Sequence, residues 1–183
     1  LALVDAVGEP LAAPSANAHT HVSPTTASHV LRSLGDRVDL ILDAGPCAHG
    51  IESTVLALGD PPRVLRPGAV SLARLREIAP RVVDASAVVE GDEARASPGM
   101  AAKHYAPRTH VVLVPRGEIG QAIADASDVT RVAAIVATRE GQAAAAACRR
   151  TIVLPDSPEE YGRGLYAALH AVDEAAVDRV VIE

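Results

Sequence analysis

The chain has 183 residues, of which 49% are apolar and only 2% are aromatic. This length suffices for one large domain or two small ones with a buried core. The sequence has no Trp or Phe and only 3 Tyr, so the core must be aliphatic and each tyrosine is a candidate for a special role. The formal net charge of −6 disfavours tight direct binding of nucleic acid, because affinity for phosphates comes mostly from Lys and Arg.

Cysteine usage and hydropathy indicate the cellular setting. Cys47 and Cys148 have neither metal-ligand spacing nor a disulfide pattern, which is typical of a reducing cytoplasm. No apolar run reaches the about 18 residues that a membrane-spanning helix requires, and no basic-then-apolar leader precedes a cleavage site. We therefore expect a soluble cytoplasmic protein that has no membrane partner.

The N-terminal part of the chain predicts mixed helices and strands. Ser23 precedes a proline, a pattern that favours a helix beginning there, and apolar side chains then recur at helical spacing. In chain order we predict a helix at 1–7, a strand at 11–13, a helix from Ser23 to Leu34, a buried strand at 38–42, a hairpin of 54–58 and 63–65, and a helix capped by Ser71 that ends at Ile78.

The C-terminal part predicts a small parallel sheet. Periodicity weakens at 82–96, and a proline-containing block at 97–107 indicates a linker. Beyond it, strand-like runs alternate with helical segments, the pattern of a parallel α/β domain. The runs lie at 111–114, 131–137, 151–154 and 179–182, and the longest helical segment at 159–175.

The block Ala13-Pro14-Ser15-Ala16-Asn17 lies between a predicted strand and a predicted helix. Ser15 and Asn17 offer a hydroxyl and a carboxamide, which suit the phosphates or the sugar of a nucleotide. The alternative is an ordinary turn, because Ser and Asn are common turn residues.

A second polar block, Glu52-Ser53-Thr54, follows Gly50 at the start of a predicted strand. Glycine lets a ligand approach the backbone closely, and the adjacent hydroxyls of Ser53 and Thr54 could bind a carboxylate or a phosphate. The alternative is a strand start whose hydroxyls satisfy their own backbone.

Arg66 and Tyr105 are further candidates for contact with an anionic ligand. The planar guanidinium of Arg66 leaves a strand just before a turn and suits bidentate binding of phosphate or carboxylate. Tyr105 lies in the linker beside His104, where it could stack on a base or donate to a phosphate. A solvated arginine and a packed linker tyrosine are the alternatives.

Other constellations are weaker. The sequence has no phosphate-binding loop of the Gly-x-x-x-x-Gly-Lys type. Cys47 and His49 lack an orienting third group for thiol catalysis. His19 and His21 lack a third ligand for a metal, so exposed loop histidines are favoured.

Six ordered blocks together resemble the long, two-domain form of the YrdC-like L-threonylcarbamoyladenylate synthase family. They are Pro14-Ser15-Ala16-Asn17, Ser23-Pro24-Thr25-Thr26, 40–47, Glu52-Ser53-Thr54-Val55, Leu65-Arg66-Pro67-Gly68, and Ser97-Pro98-Gly99-Met100 with His104-Tyr105-Ala106-Pro107. The resemblance implies an α/β fold: the C-terminal portion of a YrdC-like catalytic domain at 1–80, a linker or lid at 81–108, and a small Rossmann-like domain at 109–183.

The resemblance also implies a reaction. L-threonine combines with bicarbonate or CO2 to a carbamate, which attacks the α-phosphorus of ATP and releases pyrophosphate, with Mg²⁺ assisting. The product serves threonylcarbamoyl modification of tRNA adenosine through a downstream tRNA threonylcarbamoyl transferase.

Residue roles follow from the same resemblance. Ser53 would hold threonine, while Thr54 and His104 are weaker candidates. The residues expected to bind ATP are Ala13, Ser15, Asn17, Arg66 and Tyr105. No residue is assigned to the chemical step or to a metal, because nucleotidyl transfer needs positioning and charge neutralisation more than a protein nucleophile.

The sequence departs from the family pattern at its beginning. Family members carry a basic motif for the triphosphate in the N-terminal part of the domain, and the chain begins after that motif. We therefore expect the 183 residues alone to lack synthase activity. One alternative is a noncatalytic RNA-binding module of the same fold with a translation-factor-like role. Another is a carbamoyl transferase of the hydrogenase-maturation kind, which the linker motifs disfavour.

Overall fold

The structure, a computed structural model, describes residues 2–85 and 106–183. In the first of these ranges, strands β1 (Val55–Ala57) and β2 (Arg63–Arg66) form the predicted antiparallel hairpin. Strand β3 (Val83–Asp84) then pairs with β2 in parallel and completes a three-stranded sheet of order β1-β2-β3. This short third strand was not predicted.

Three helices accompany this sheet: α1 (Ala2–Val7), α2 (Ala27–Leu34) and α3 (Leu72–Ile78). The predicted cap of α3 is confirmed, because the Ser71 hydroxyl accepts a hydrogen bond from the Arg74 backbone N–H at 3.2 Å. A single 3₁₀ turn at Gly35–Arg37 follows α2.

The predicted start of α2 is wrong. The helix begins at Ala27, and its cap is Thr26, whose hydroxyl accepts from the His29 backbone N–H. Proline favours a first helical position, but the two threonines after Pro24 provide a competing cap. Ser23 lies outside the helix, and its hydroxyl bonds to Glu52 instead.

The predicted strands at 11–13 and 38–42 are also wrong. Neither segment forms a strand, and Leu40 and Leu42 are 75% and 67% exposed. In the described part of the chain neither run has a partner strand, and an apolar run forms a strand only where a neighbour takes up its backbone hydrogen bonds.

The predicted C-terminal parallel sheet is confirmed. Its strands are β4 (His110–Leu113), β5 (Val132–Val136), β6 (Arg150–Val153) and β7 (Arg179–Ile182). All pair in parallel, in the order β4-β7-β5-β6. The two central strands are the most buried, which explains why β5 reads as an uninterrupted apolar run.

Helices cover this sheet on both faces. Helices α4 (Ile119–Ala124) and α5 (Arg139–Ala144) lie on one side, and the long α6 (Pro158–Glu174) lies on the other. Alternate residues of β5 divide between the two sides: Ala133 and Ile135 pack towards α6, while Val132, Ala134 and Val136 pack towards α4 and α5. Among the helices of residues 2–85 and 106–183, none is both long and apolar enough to cross a membrane.

The N-terminal part packs directly on α6. Val22 is 3% exposed and belongs to the hydrophobic cluster formed by β5, β7 and α6. The rings of His29 and His170 stack with their centroids 3.8 Å apart, and Arg32 forms a 2.6 Å ion pair with Glu174. Helix α6 therefore joins the C-terminal sheet to the segment that contains the polar sequence blocks.

Candidate functional site

An open cleft of about 310 Å³ lies where the polar blocks of the N-terminal part meet α6. Two of the sequence blocks that indicated ligand binding contribute to its walls. The lining residues are 13–16, 23–25, Cys47, 50–53 and Tyr166.

Arg66 fixes the loop that carries Ser53. Its Nε and Nη2 atoms donate to the Ser53 carbonyl at 3.1 and 2.9 Å, and Nη2 also donates to the Ser53 hydroxyl at 3.2 Å. The guanidinium lies 3.7 Å from a carboxylate oxygen of Glu52, and both side chains are mostly buried. Arg66 therefore places a positive charge beside Ser53 at the wall of the cleft.

Glu52 connects this pair to a second wall of the cleft. Ser23 is 7% exposed, and its hydroxyl donates to Glu52 Oε1 at 2.5 Å. The other carboxylate oxygen of Glu52 faces Arg66. One carboxylate thus links the 23–25 loop, the 50–53 loop and strand β2.

Gly68 allows the turn after β2 to lie against the Ser53 loop. A Cβ at this position would lie 2.4 Å from the Glu52 carbonyl oxygen and 2.5 Å from the Thr54 nitrogen. The Thr54 hydroxyl closes the same junction, because it donates to the Val70 carbonyl at 2.7 Å and accepts from the Val70 N–H at 3.0 Å. Thr54 is thus engaged in the way that the strand-start alternative expects.

The predicted site residues divide into three groups. Ala13, Ser15 and Ser53 line the same cleft, with Arg66 bonded behind Ser53. Asn17 stabilises its own turn, because its amide nitrogen donates to the Ala18 and His21 carbonyls at 3.0 and 3.1 Å. Its carbonyl oxygen is buried without a hydrogen-bond partner among the described residues.

His104 and Tyr105 form the third group and lie outside the described residues. The next residue, Ala106, is bound to the 20–21 segment: its N–H donates to the Thr20 carbonyl at 3.1 Å, and it forms a parallel bridge with His21. The end of the predicted linker is therefore attached to the turn that Asn17 stabilises.

Sequence reasoning missed Ser23, Glu52 and Tyr166 as cleft residues. The Ser23-Pro24 pair predicts a helix start rather than a cleft residue, and Glu52 stands out in the sequence only as the neighbour of Ser53. Tyr166 lies in a regular helix more than a hundred positions from the polar blocks, so only the scarcity of aromatic residues pointed to it.

A pair of histidines lies at the contact between α2 and α6. His29 is 8% exposed, and its Nδ1 accepts from the Thr25 N–H at 3.2 Å. Burial, helped by His170 and Arg32, lowers its pKa from 6.5 to about 4 against the opposing effect of Glu174. His29 is therefore neutral at physiological pH, while His170 Nε2 lies 3.1 Å from the Ser23 carbonyl oxygen.

The comparison with known protein families identifies the fold. The family described as threonylcarbamoyl-AMP synthase, C-terminal domain, matches residues 70–183. The chain belongs to the threonylcarbamoyl-AMP synthase family. A second family of Sua5, YciO and YrdC proteins, described as telomere recombination, matches residues 1–68.

Named members of the threonylcarbamoyl-AMP synthase family resemble the chain over its whole length. It is 32% identical to the threonylcarbamoyl-AMP synthase of Pyrococcus abyssi, covering 100% of this chain and 55% of that protein. It is 34% identical to the Bacillus subtilis protein of the same name, covering 100% of this chain and 54% of that protein. The chain therefore spans about half the length of these relatives.

Solved structures from the same family have the same fold. The crystal structure of P. abyssi Sua5 complexed with L-threonine matches with a TM-score of 0.85 at 32% identity, over 99% of this chain and 54% of that chain. A variant of that protein, in which an adjacent histidine and tyrosine are both replaced by alanine, matches with a TM-score of 0.83 at 30% identity, over 99% and 53%.

Proposed function

We propose that this chain carries the substrate cleft of an enzyme that makes threonylcarbamoyl-AMP. L-threonine, bicarbonate and ATP give threonylcarbamoyl-AMP, pyrophosphate and water, with a carbamate of threonine attacking the α-phosphorus. The observation that supports this most is the cleft itself, which Ser15 and Ser53 both line and in which the Arg66 guanidinium holds the Ser53 hydroxyl from behind. The solved relative with L-threonine bound has the same fold.

Ser53 is proposed as the residue that binds threonine. Its hydroxyl lies at the cleft wall and is held by Arg66, so its position is fixed before a ligand arrives. Thr54 is a weaker candidate, because its hydroxyl is already engaged with Val70 on both its donor and acceptor sides.

The nucleotide is proposed to lie along the other wall, at Ala13, Ser15 and Asn17, with Arg66 meeting its phosphates. A guanidinium suits this role because it presents a fixed fork of donors to phosphate oxygens. Asn17 is proposed to act through its turn, which its amide nitrogen holds in place by donating to the Ala18 and His21 carbonyls directly after the lining residues 13–16.

His104 and Tyr105 are proposed to reach the nucleotide from the linker. They are the one adjacent His-Tyr pair in this sequence, and a solved relative was prepared with such a pair replaced by alanine. The attachment of Ala106 beside the turn of Asn17 supports this placement, since it brings the linker's end towards the proposed nucleotide wall.

No metal-binding residue is proposed. Among the described residues that line the cleft, Glu52 is the one carboxylate, and it already meets Ser23 and Arg66. The described part of the chain also holds no cluster of three side chains that could ligate a metal. Mg²⁺ is proposed to accompany the triphosphate of ATP as part of the substrate.

The enzyme that uses the product and the compartment of the reaction are also part of the proposal. The product would be consumed by a tRNA threonylcarbamoyl transferase in the cytoplasm. This chain would not bind tRNA tightly, since its net charge is −6.

The division into domains at 1–80, 81–108 and 109–183 stays a prediction, and β3 at Val83–Asp84 lies just past its first boundary.

Pyrophosphate release tests the proposed function. The chain should be assayed alone and as a chimaera with the part of the P. abyssi relative that lies outside the match, with ATP, Mg²⁺ and bicarbonate. Threonine, serine, glycine and no amino acid should be compared. Release that depends on threonine, and that Ser53→Ala abolishes in the chimaera, supports the proposal. A folded chimaera without threonine-dependent release contradicts it.

A further inference from the structure

One face of α6 lies against both loops that form the candidate cleft. A Cβ on Gly50 would lie 1.8 Å from the backbone oxygen of Arg163, so the 50–53 loop contacts the helix backbone directly. A Cβ on Gly162 would lie 3.3 Å from Ile51 Cδ1. About two turns further along, His170 Nε2 lies 3.1 Å from the Ser23 carbonyl oxygen.

Tyr166 occupies the middle of this face. Positions 162, 166 and 170 are four apart, so they follow one another along the same side of a helix. Gly162 contacts the 50–53 loop, and His170 contacts the 23–25 loop. Tyr166 therefore lies between the two loops, where it lines the cleft. Among the described lining residues, Tyr166 is the aromatic one.

The ring of Tyr166 has a rigid support. It is half-buried and packs against the hydrophobic cluster of β5, β7 and α6, which also contains Val22. An aromatic side chain supported in this way presents a large apolar surface at low cost in conformational entropy.

We propose that Tyr166 is a substrate-contact residue, supplied by the C-terminal sheet domain to the L-threonine site. This inference rests on the proposed function, because Ser53 in the same cleft is the proposed threonine residue. It goes beyond that function by making the C-terminal domain part of the amino-acid site. The ring then contributes to the choice of threonine over serine, which lacks the methyl group.

The tyrosine content of the chain provides a direct test. With 3 Tyr in all, a chain labelled with 3-fluorotyrosine gives one fluorine resonance each for Tyr105, Tyr161 and Tyr166, which Tyr→Phe variants assign. Titration with L-threonine should shift the Tyr166 resonance saturably. Tyr161 is the internal control, since it lies on the same helix outside the cleft and donates to the Glu183 carbonyl at 2.9 Å.

Calorimetry on variants distinguishes a direct contact between Tyr166 and threonine from a general effect of Tyr166 on the fold. Tyr166→Ala should weaken L-threonine binding at least tenfold and L-serine binding less, so that the ratio of the two affinities falls. Tyr161→Phe should leave both affinities and their ratio unchanged. A general loosening of the fold would weaken both ligands equally, which contradicts a contact role, so the ratio is the deciding readout.

The other possible results show whether the Tyr166 inference or the proposed function is wrong. Threonine binding without a shift of the Tyr166 resonance overturns the inference and leaves the proposed function standing. A Tyr166 shift with ATP alone overturns the assignment to threonine. A wild-type chain and chimaera that bind no threonine by calorimetry overturn the proposed function, and the threonine contact falls with it.

Discussion

Arg66 is the residue whose role depends most on its shape. Its fork makes two bonds to the Ser53 carbonyl and one to the Ser53 hydroxyl, and it faces Glu52. A lysine keeps the charge but cannot reproduce this set of directions. The exact placement of Ser53 therefore depends on a guanidinium.

We predict that Arg66→Lys weakens L-threonine and ATP binding about tenfold or more, the equivalent of one lost hydrogen bond to a charged group. Isothermal titration of both ligands measures this. Arg63→Lys is the matched control, because Arg63 is exposed at the start of the same strand. Equal affinities in the Arg66 variant and the wild type would remove the guanidinium from the site.

Because the pKa of buried His29 is lowered, we predict that the stability of the protein depends on pH. The His29 pKa is lowered from 6.5 to about 4 in the folded state, where His170, Arg32 and Glu174 surround it. The unfolded chain therefore binds the proton more readily, so stability is complete above pH 6.5 and is lost as the pH falls towards 4. By this linkage the free energy of unfolding decreases by about 2 kcal/mol between pH 8 and pH 5.

Urea unfolding at the two pH values checks this, with His29→Gln and His110→Gln compared. The first variant should lose most of the difference, because the titrating group is gone. The second should keep it, because His110 is exposed on β4. If His29→Gln retains the full pH dependence, the burial of His29 is not its cause.

At the scale of elements, Gly50 is where the site loop meets α6. Its φ is +67°, and a Cβ would lie 1.8 Å from the Arg163 backbone oxygen. The sequence predicted that this glycine lets a ligand approach, but the close neighbour in the structure is the helix itself. Gly45 has a φ of +88° and nothing within 4 Å of its Cβ position. An alanine there would therefore carry the cost of the backbone conformation without a steric clash.

We predict that Gly50→Ala destabilises the protein by at least about 2 kcal/mol more than Gly45→Ala, which carries only the left-handed backbone cost of about 1 kcal/mol. Denaturant unfolding measures both variants. Equal losses of stability would show that the 50–53 loop and α6 separate without cost.

The elements that sequence patterns predicted are those whose signals are local. The hairpin turn, the Ser71 cap and the alternation of strands with helices in the C-terminal sheet depend on residues close together in the chain. The strand at 38–42 was wrong because strand formation needs a partner that the run itself does not encode. The start of α2 was wrong because Ser23 and Thr26 compete as caps and only packing decides between them.

At the scale of the molecule, the site depends on contacts over long sequence distances. Ser15 and Ser53 could be selected from their motifs, yet their shared cleft is completed by Tyr166 from α6, which packs on the C-terminal sheet. The pairing of Ser23 with Glu52 and the packing of Val22 on α6 join segments that no sequence period connects. The motifs thus predict the chemistry, while α6 determines where the walls of the cleft lie.

Threonine-dependent pyrophosphate release by the chimaera, measured beside its Ser53→Ala variant, is the decisive measurement. We expect release with threonine, little with serine or glycine, and loss of release in the Ser53 variant. Release that is independent of the amino acid, or unchanged by Ser53→Ala in a folded protein, would contradict the assignment of this cleft to threonine and ATP.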